Sequence, residues 1–175
     1  MTLKPIPSQE ELRRVFDYSP ESGQLFWKYR DDIPKEANTR WAGKECCSLS
    51  LSGVSVRYKG VSYLVHRIIY VWWYGDIIST DDIVDHADLN AFNNKIGNLR
   101  KATPAQNLIN REKQANNTSG AKGVDQLPGG SWRARLANAH IGTYSTFEEA
   151  VLAYNAEVER QYGEFGRPTL LQMSI

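Results

Sequence analysis

The stretch IVDHADLNAFNNKIGNLRKATPAQNLIN, residues Ile83 to Asn110, decides how the chain is read. Asp85 directly precedes His86, Asn98 follows His86 by twelve residues, and Asn107 follows Asn98 by nine. Ile83 to Asp88 reads as a strand, Asn98 to Thr103 as a second, and Pro104 to Lys113 as a helix. Thr103-Pro104-Ala105-Gln106 is a strong helix start, with an N-cap, Pro at N1 and Gln at N3. Asn107 then falls at N4, where its side chain can point back across the strand pair. A carboxylate beside an imidazole, followed by a carboxamide at the head of a helix, offers oxygen ligands for a hard divalent cation and a base for water. Single-metal phosphodiester cleavage needs that set.

Charge bears on this reading first. The chain has 175 residues and a net charge of +1, a weak footprint for a polyanion's partner. The charge is unevenly spread, however. From Leu89 to Arg135 there are eight basic residues against two acidic ones, Glu112 and Asp125. That local surplus of six, against −5 over the rest, is what a phosphate backbone requires; a solvated surface is the plainer alternative. With 41% hydrophobic and 23% charged residues, the composition is that of a soluble globular protein with a core, in one domain or two small ones. No apolar run approaches the roughly 18 residues of a membrane span, and MTLKPIPSQEEL lacks the apolar segment of a secretory signal. Adjacent Cys46 and Cys47 make neither a disulfide framework nor a CxxC zinc pair, so a reducing, cytoplasmic setting is expected.

Upstream, Ser8-Gln9-Glu10-Glu11 is a capping box before Leu12, Val15 and Phe16, which predicts a short amphipathic helix. Ser19 to Gly23 reads as a turn, Gln24 to Tyr29 as a strand, and residues 31–50 as loop. Val54, Val56 and Tyr58, a Lys59-Gly60 turn, then Val61, Tyr63 and Val65 predict a hairpin. It leads into LVHRIIYVWWYG, a core helix ended by Gly75, with Trp72 and Trp73 read as core rather than as base-stacking platforms. Downstream, QANNTSGA (114–121) is a polar linker. Strands follow over 123–127, 131–137 and 141–144. Thr146-Phe147-Glu148-Glu149 then opens a helix whose stripe is Phe147, Ala150, Val151, Tyr154 and Val158, closing near Gly163.

The Asp85-His86…Asn98…Asn107 run resembles the HNH, or ββα-metal, endonuclease motif, with Asn in place of its last His. The resemblance implies that His86 activates water for in-line attack on phosphorus, and that Asn98 holds the loop and orients His86. It implies one Mg²⁺ or Mn²⁺ per site on Asp85 and Asn107, since the Asp/Asn pair suits hard cations better than zinc. Products would be a 5′-phosphate and a 3′-hydroxyl. Asn93 and Asn94 compete with Asn98 for the structural role, and spacing favours Asn98. His66, in a "VHR" like that upstream in this family, either packs or lines the site. Arg100 or Lys101 is expected to touch phosphate; the alternative is a solvated salt bridge.

GAKGVDQLPGGSWRARLANAHIGTYSTFEEAVLAYNAEVERQYGEF resembles the ethylene-response-factor (APETALA-two type) DNA-binding domain, through "KGV", "WRARL", "IGTYSTFEEAVLAYN" and "YGEF". In that family a three-stranded sheet enters the major groove. Arg133 and Arg135 alternate with Trp132, Ala134 and Leu136, so the arginines share one face and become the candidate DNA contacts, with Lys122 as a phosphate candidate and Trp132 as core. A solubilising sheet face is the alternative.

Together these readings predict an α+β protein. A nuclease-associated segment spans 1–53, a ββα-metal nuclease domain 54–113, a linker 114–121, and a small three-stranded antiparallel sheet plus one helix 122–170. The expected function is a phage-type homing or free-standing DNA endonuclease, in the host bacterial cytoplasm if phage-encoded, whose monomer would nick. A non-catalytic DNA-binding regulator on a vestigial nuclease fold is the rival, and a structure-selective or RNA-directed nuclease a further one.

Overall fold

The computed structural model describes residues 5–50, 53–76, 79, 82–113 and 115–169. The chain divides into two compact units, residues 1–103 and 104–175. Both mix helices with small antiparallel sheets.

In the first unit, helix α1 (Gln9–Val15) starts where Ser8 accepts the Glu11 backbone N–H at 3.3 Å, and it ends at Phe16. Glu11 does not complete the capping box; its carboxylate takes the Tyr58 hydroxyl at 2.9 Å and the Lys59 ammonium at 2.6 Å. Phe16 begins a strand, so the predicted strand has a partner that the sequence pattern concealed. Strands β1 (Phe16–Ser19) and β2 (Gln24–Trp27) form a hairpin with Asp17 opposite Phe26 and Tyr18 opposite Leu25.

Residues 31–50, expected to be loop, hold helix α2 (Lys35–Trp41) and strand β3 (Ser48–Ser50). No apolar period marks α2. A buried amide anchors it instead, Asn38 bonding both the backbone N–H and C=O of Arg30 at 2.9 and 2.6 Å. Strand β3 extends the predicted hairpin of β4 (Gly53–Tyr58) and β5 (Val61–Leu64) to three strands.

Helix α3 (Val65–Tyr74) buries Val65, Ile68, Ile69 and Val71 and closes at Gly75 in the left-handed conformation. Its C-terminal carbonyls lack partners within the helix. From α1, Gln9 and Arg13 supply donors to the Trp72 carbonyl at 3.1 and 3.0 Å. Trp72 packs against the core and donates its indole N–H to the Phe16 carbonyl at 3.0 Å, whereas Trp73, also expected in the core, is 39% exposed. Strands β6 (Ile83–His86) and β7 (Leu99–Ala102) pair antiparallel, and Val84 and Leu99 join the same core.

The second unit begins with helix α4 (Pro104–Asn110), whose Ile109 packs into that unit's core. Residues 115–121 of the polar segment after it hold hydrogen-bonded turns. Asn117 bonds the Ala121 carbonyl and the Gly120 N–H, both at 2.9 Å, and Ala121 is fully buried. Strands β8 (Val124–Gln126), β9 (Trp132–Leu136) and β10 (Ala139–Tyr144) form a sheet with β9 in the middle. Helix α5 (Phe147–Tyr162) covers one face of it. The Thr146/Glu149 capping box is complete, and Ala150, Val151, Tyr154 and Val158 are buried as the stripe predicts. Gly123 cannot be replaced here: its φ is +70°, and an added Cβ would lie 2.2 Å from the Tyr154 ring and 2.5 Å from the Arg135 carbonyl. Among the described residues no helix is long and apolar enough to cross a membrane.

Candidate active site

The β6–β7 register sets Asp85 opposite Arg100 and His86 opposite Leu99. His86 ends its strand and is 8% exposed. Its Nε2 lies 3.0 Å from Oδ1 of Asn94, a residue only 4% exposed. An amide oxygen only accepts, so Nε2 carries the proton and the lone pair of the neutral ring sits on Nδ1. The hydrogen bond to Asn94 favours one tautomer of the ring.

The loop between β6 and β7 is held by its own polar side chains. Asn98 lies in a single 3₁₀ turn (Ile96–Asn98) rather than in the expected strand. Its Oδ1 accepts the Asp88 N–H at 3.1 Å, and its Nδ2 donates to the Asp88 carboxylate at 2.9 Å and to the Asn93 carbonyl at 2.8 Å. Asp88 also accepts from Asn90 N–H at 2.8 Å and from the Asn93 amide at 2.7 Å. These bonds hold the Asp88 carboxyl below its usual range against the opposing effect of burial. The two tasks expected of Asn98 are therefore divided: Asn98 staples the loop to Asp88, and Asn94 meets the imidazole. Asp88 escaped the sequence reading, though Asp88, Asn90 and Asn93 each accept the N–H two residues on, as in Asx turns.

Asp85 is 6% exposed and faces the guanidinium of Arg100, whose Nε and Nη2 lie 3.3 and 3.2 Å from Oδ2. Lys101 pairs with Asp82 at 3.2 Å. Both basic residues of β7 thus have carboxylate partners. His66, in the first turn of α3, meets His86 edge to face with ring centroids 4.8 Å apart. Burial, and secondarily the charges of His86 and Arg67, push its imidazole down to about 3, so His66 stays neutral at cellular pH. The neighbouring Arg67 is structural, donating to the carbonyls of Asp82 and, at 2.7 Å, Ser79, which fixes the start of β6.

In the second unit Arg133 and Arg135 share one carboxylate, Asp125, at 2.7 and 3.2 Å. Arg135 is 50% exposed, while Ala134 and Leu136 are buried. Trp132 packs edge to face on Phe147 at 5.0 Å. Lys122 donates to three carbonyls at the end of α4, those of Leu108, Ile109 and Arg111, at 2.9, 2.7 and 2.9 Å. An ammonium has three protons, so this lysine caps a helix and has none left for a phosphate. Burial accordingly lowers its pKa. Asn107 lies half-buried in the first turns of α4.

A hard divalent cation suits the donors available. Carboxylate and amide oxygens favour Mg²⁺ or Mn²⁺, and a dication on Asp85 would displace the Arg100 guanidinium from it. Among the described residues no three His, Cys, Asp or Glu side chains gather. Protein ligands would be few, with water and phosphate completing the shell, as in an open catalytic site.

His86 on Asn94, Asp85 on Arg100 and the Asn98-stapled loop lie together at the β6–β7 end of the first unit. Residues 63–109 match the family model described as HNH endonuclease. The chain is also 35% identical over 124 residues to an uncharacterized HNH endonuclease of Acanthamoeba polyphaga mimivirus. The aligned part is 69% of this chain, and it spans 64% of that relative's length, less than two thirds. The segment is thus similar to HNH endonucleases. No solved structure matches the chain.

Proposed function

We propose that the protein is a metal-dependent DNA endonuclease that hydrolyses one phosphodiester bond per active site. The observation that carries this reading is the His86–Asn94 pair at 3.0 Å on a strand whose preceding residue is a buried carboxylate. His86 takes a proton from water through Nδ1, and the water oxygen forms the new bond to phosphorus. The P–O3′ bond breaks, the 3′ oxygen takes a proton from solvent, and the products carry a 5′-phosphate and a 3′-hydroxyl. A dication on Asp85 would stabilise charge on the phosphorus oxygens and the leaving group. Asn98 and Asp88 keep the loop from moving the base.

The second unit serves as the DNA-holding module. Its exposed Arg135 and half-exposed Arg133 lie on the face opposite α5, where base edges or phosphates can compete with Asp125. Tethering two contacts in one chain raises the effective concentration of the second, which suits a homing or free-standing nuclease encoded by a phage or other mobile DNA. A monomer with one such site nicks.

Nicking of supercoiled plasmid in Mg²⁺ or Mn²⁺ tests the reading. Wild type should cleave, and His86→Ala should lose cleavage by at least about 100-fold while retaining DNA binding. Equal cleavage by both proteins would overturn the mechanism. DNA binding without cleavage by wild type would favour a regulator.

A further inference from the structure

His86 is held by Asn94, and Asn94 is held from the N-terminal hairpin. The Tyr18 hydroxyl, on β1, donates to the Asn94 carbonyl at 3.0 Å, a buried bond spanning 76 residues of sequence. The Tyr18 ring is 8% exposed and fixed by edge contacts with Trp72 and Trp73 at 5.8 and 6.0 Å, and burial raises the phenol's pKa, so the hydroxyl keeps its proton to donate. A second contact reaches the same peptide from the turn of this hairpin. Gly23 has φ +76°, and a Cβ there would lie 2.8 Å from both the Asn94 carbonyl carbon and the Lys95 nitrogen. Those atoms are backbone and cannot swing aside. Two contacts on one hairpin, a hydrogen bond and a close approach, thus fix the residue that fixes the base.

We propose that the β1–β2 hairpin is a positioning element of the active site, acting through Tyr18 and Gly23 on Asn94 and through Asn94 on His86. This gives a catalytic purpose to a segment outside the nuclease motif, and it rests on His86 being the base. Asn94 must present its oxygen to Nε2 for the lone pair to stand on Nδ1. A loop free to slide or an amide free to turn would populate the other tautomer, whose Nδ1–H cannot accept water's proton. Tyr18 and Gly23 touch no substrate; they are positioning residues.

Three measurements on the full chain test this: kcat and KM for plasmid nicking, thermal unfolding, and the ¹⁵N shifts of the imidazoles with the rings neutral. With three histidines in the chain, the last measurement is tractable. Tyr18→Phe retains the ring and removes only the hydroxyl. It should lower kcat about 10-fold with KM unchanged, and move His86 from a pure Nε2–H form towards a mixture of tautomers. Asn94→Ala should do the same to a larger degree, and Asn94→Asp, which keeps an acceptor oxygen, should restore the Nε2–H form. Val56→Ala, a core truncation in β4, controls for stability: it should lower the melting temperature with kcat intact. Tyr18→Phe and Gly23→Ala both leaving kcat within twofold and the His86 tautomer unchanged would overturn the proposal. Should wild type fail to cleave, the proposed function falls, and the ¹⁵N shifts still decide whether the hairpin sets the tautomer.

Discussion

Acid should destabilise the first unit earlier than its carboxylates alone would require, because of His66. The folded protein holds this imidazole down at about 3, chiefly by burial and then by the neighbouring charges of His86 and Arg67. In the unfolded chain the ring titrates near 6.5. Below that pH the unfolded state takes up a proton that the folded state refuses, so the unfolded state binds more protons and stability falls with pH. The contribution is fully present above about pH 6.5, declines below it, and levels off only near pH 3. Between pH 7.5 and pH 5 linkage assigns His66 a loss of about 2 kcal/mol. His66→Gln keeps a polar side chain and removes the titration. Urea unfolding at the two pH values, followed by tryptophan fluorescence, measures the difference; four of the five tryptophans, Trp27, Trp41, Trp72 and Trp73, belong to the first unit. Wild type should lose about 2 kcal/mol more than the variant on going to pH 5. Parallel losses in the two proteins would show that burial of His66 does not depress its pKa, and would refute the reasoning.

Lys122 and the two sheet arginines should separate cleanly. Lys122→Ala leaves the carbonyls of Leu108, Ile109 and Arg111 without this donor and should cost about 1–3 kcal/mol of stability in thermal unfolding, while the salt dependence of DNA binding stays as in wild type. Arg133→Ala with Arg135→Ala should do the reverse: melting changes little, while binding weakens and its logarithmic salt slope falls by about two, measured by fluorescence anisotropy over a salt series. Gly123→Ala forces a β-carbon against Tyr154 and an L residue into a left-handed backbone. It should destabilise the second unit by about 2–5 kcal/mol, read from circular dichroism melts.

Local signals carried the elements well. The Lys59-Gly60 hairpin, the helix ended by Gly75, the capping box at Thr146 and the stripe of α5 all depend on residues within a few positions of one another, and each lies where the pattern predicts. The failures are those in which tertiary contacts replace period. Helix α2 is anchored by Asn38 on Arg30 rather than by an apolar stripe, and β1 follows α1 without a turn residue to announce it. Asn98 and Asn94 teach the same lesson inside the motif. Spacing from His86 selects Asn98, but the bond to the ring comes from Asn94, whose orientation depends on Tyr18, a residue 76 positions away. No reading of the motif alone reaches that partner.

The charge count makes a related argument. Along the sequence, the window from Leu89 to Arg135 shows a surplus of six positive charges. Folding brings in partners that a linear window misses: Asp85 from β6 meets Arg100, and Asp82 just before it meets Lys101. Within the window, one carboxylate serves both Arg133 and Arg135, and Lys122 turns inward to a helix end. Within each unit these pairings offset much of the surplus that the linear window shows. A phosphate approaching Arg100 must compete with Asp85, and a dication on Asp85 would relieve that competition by taking over the carboxylate. Metal and phosphate would then bind cooperatively, each making room for the other. A nuclease gains from such coupling because a cation held without substrate does no chemistry.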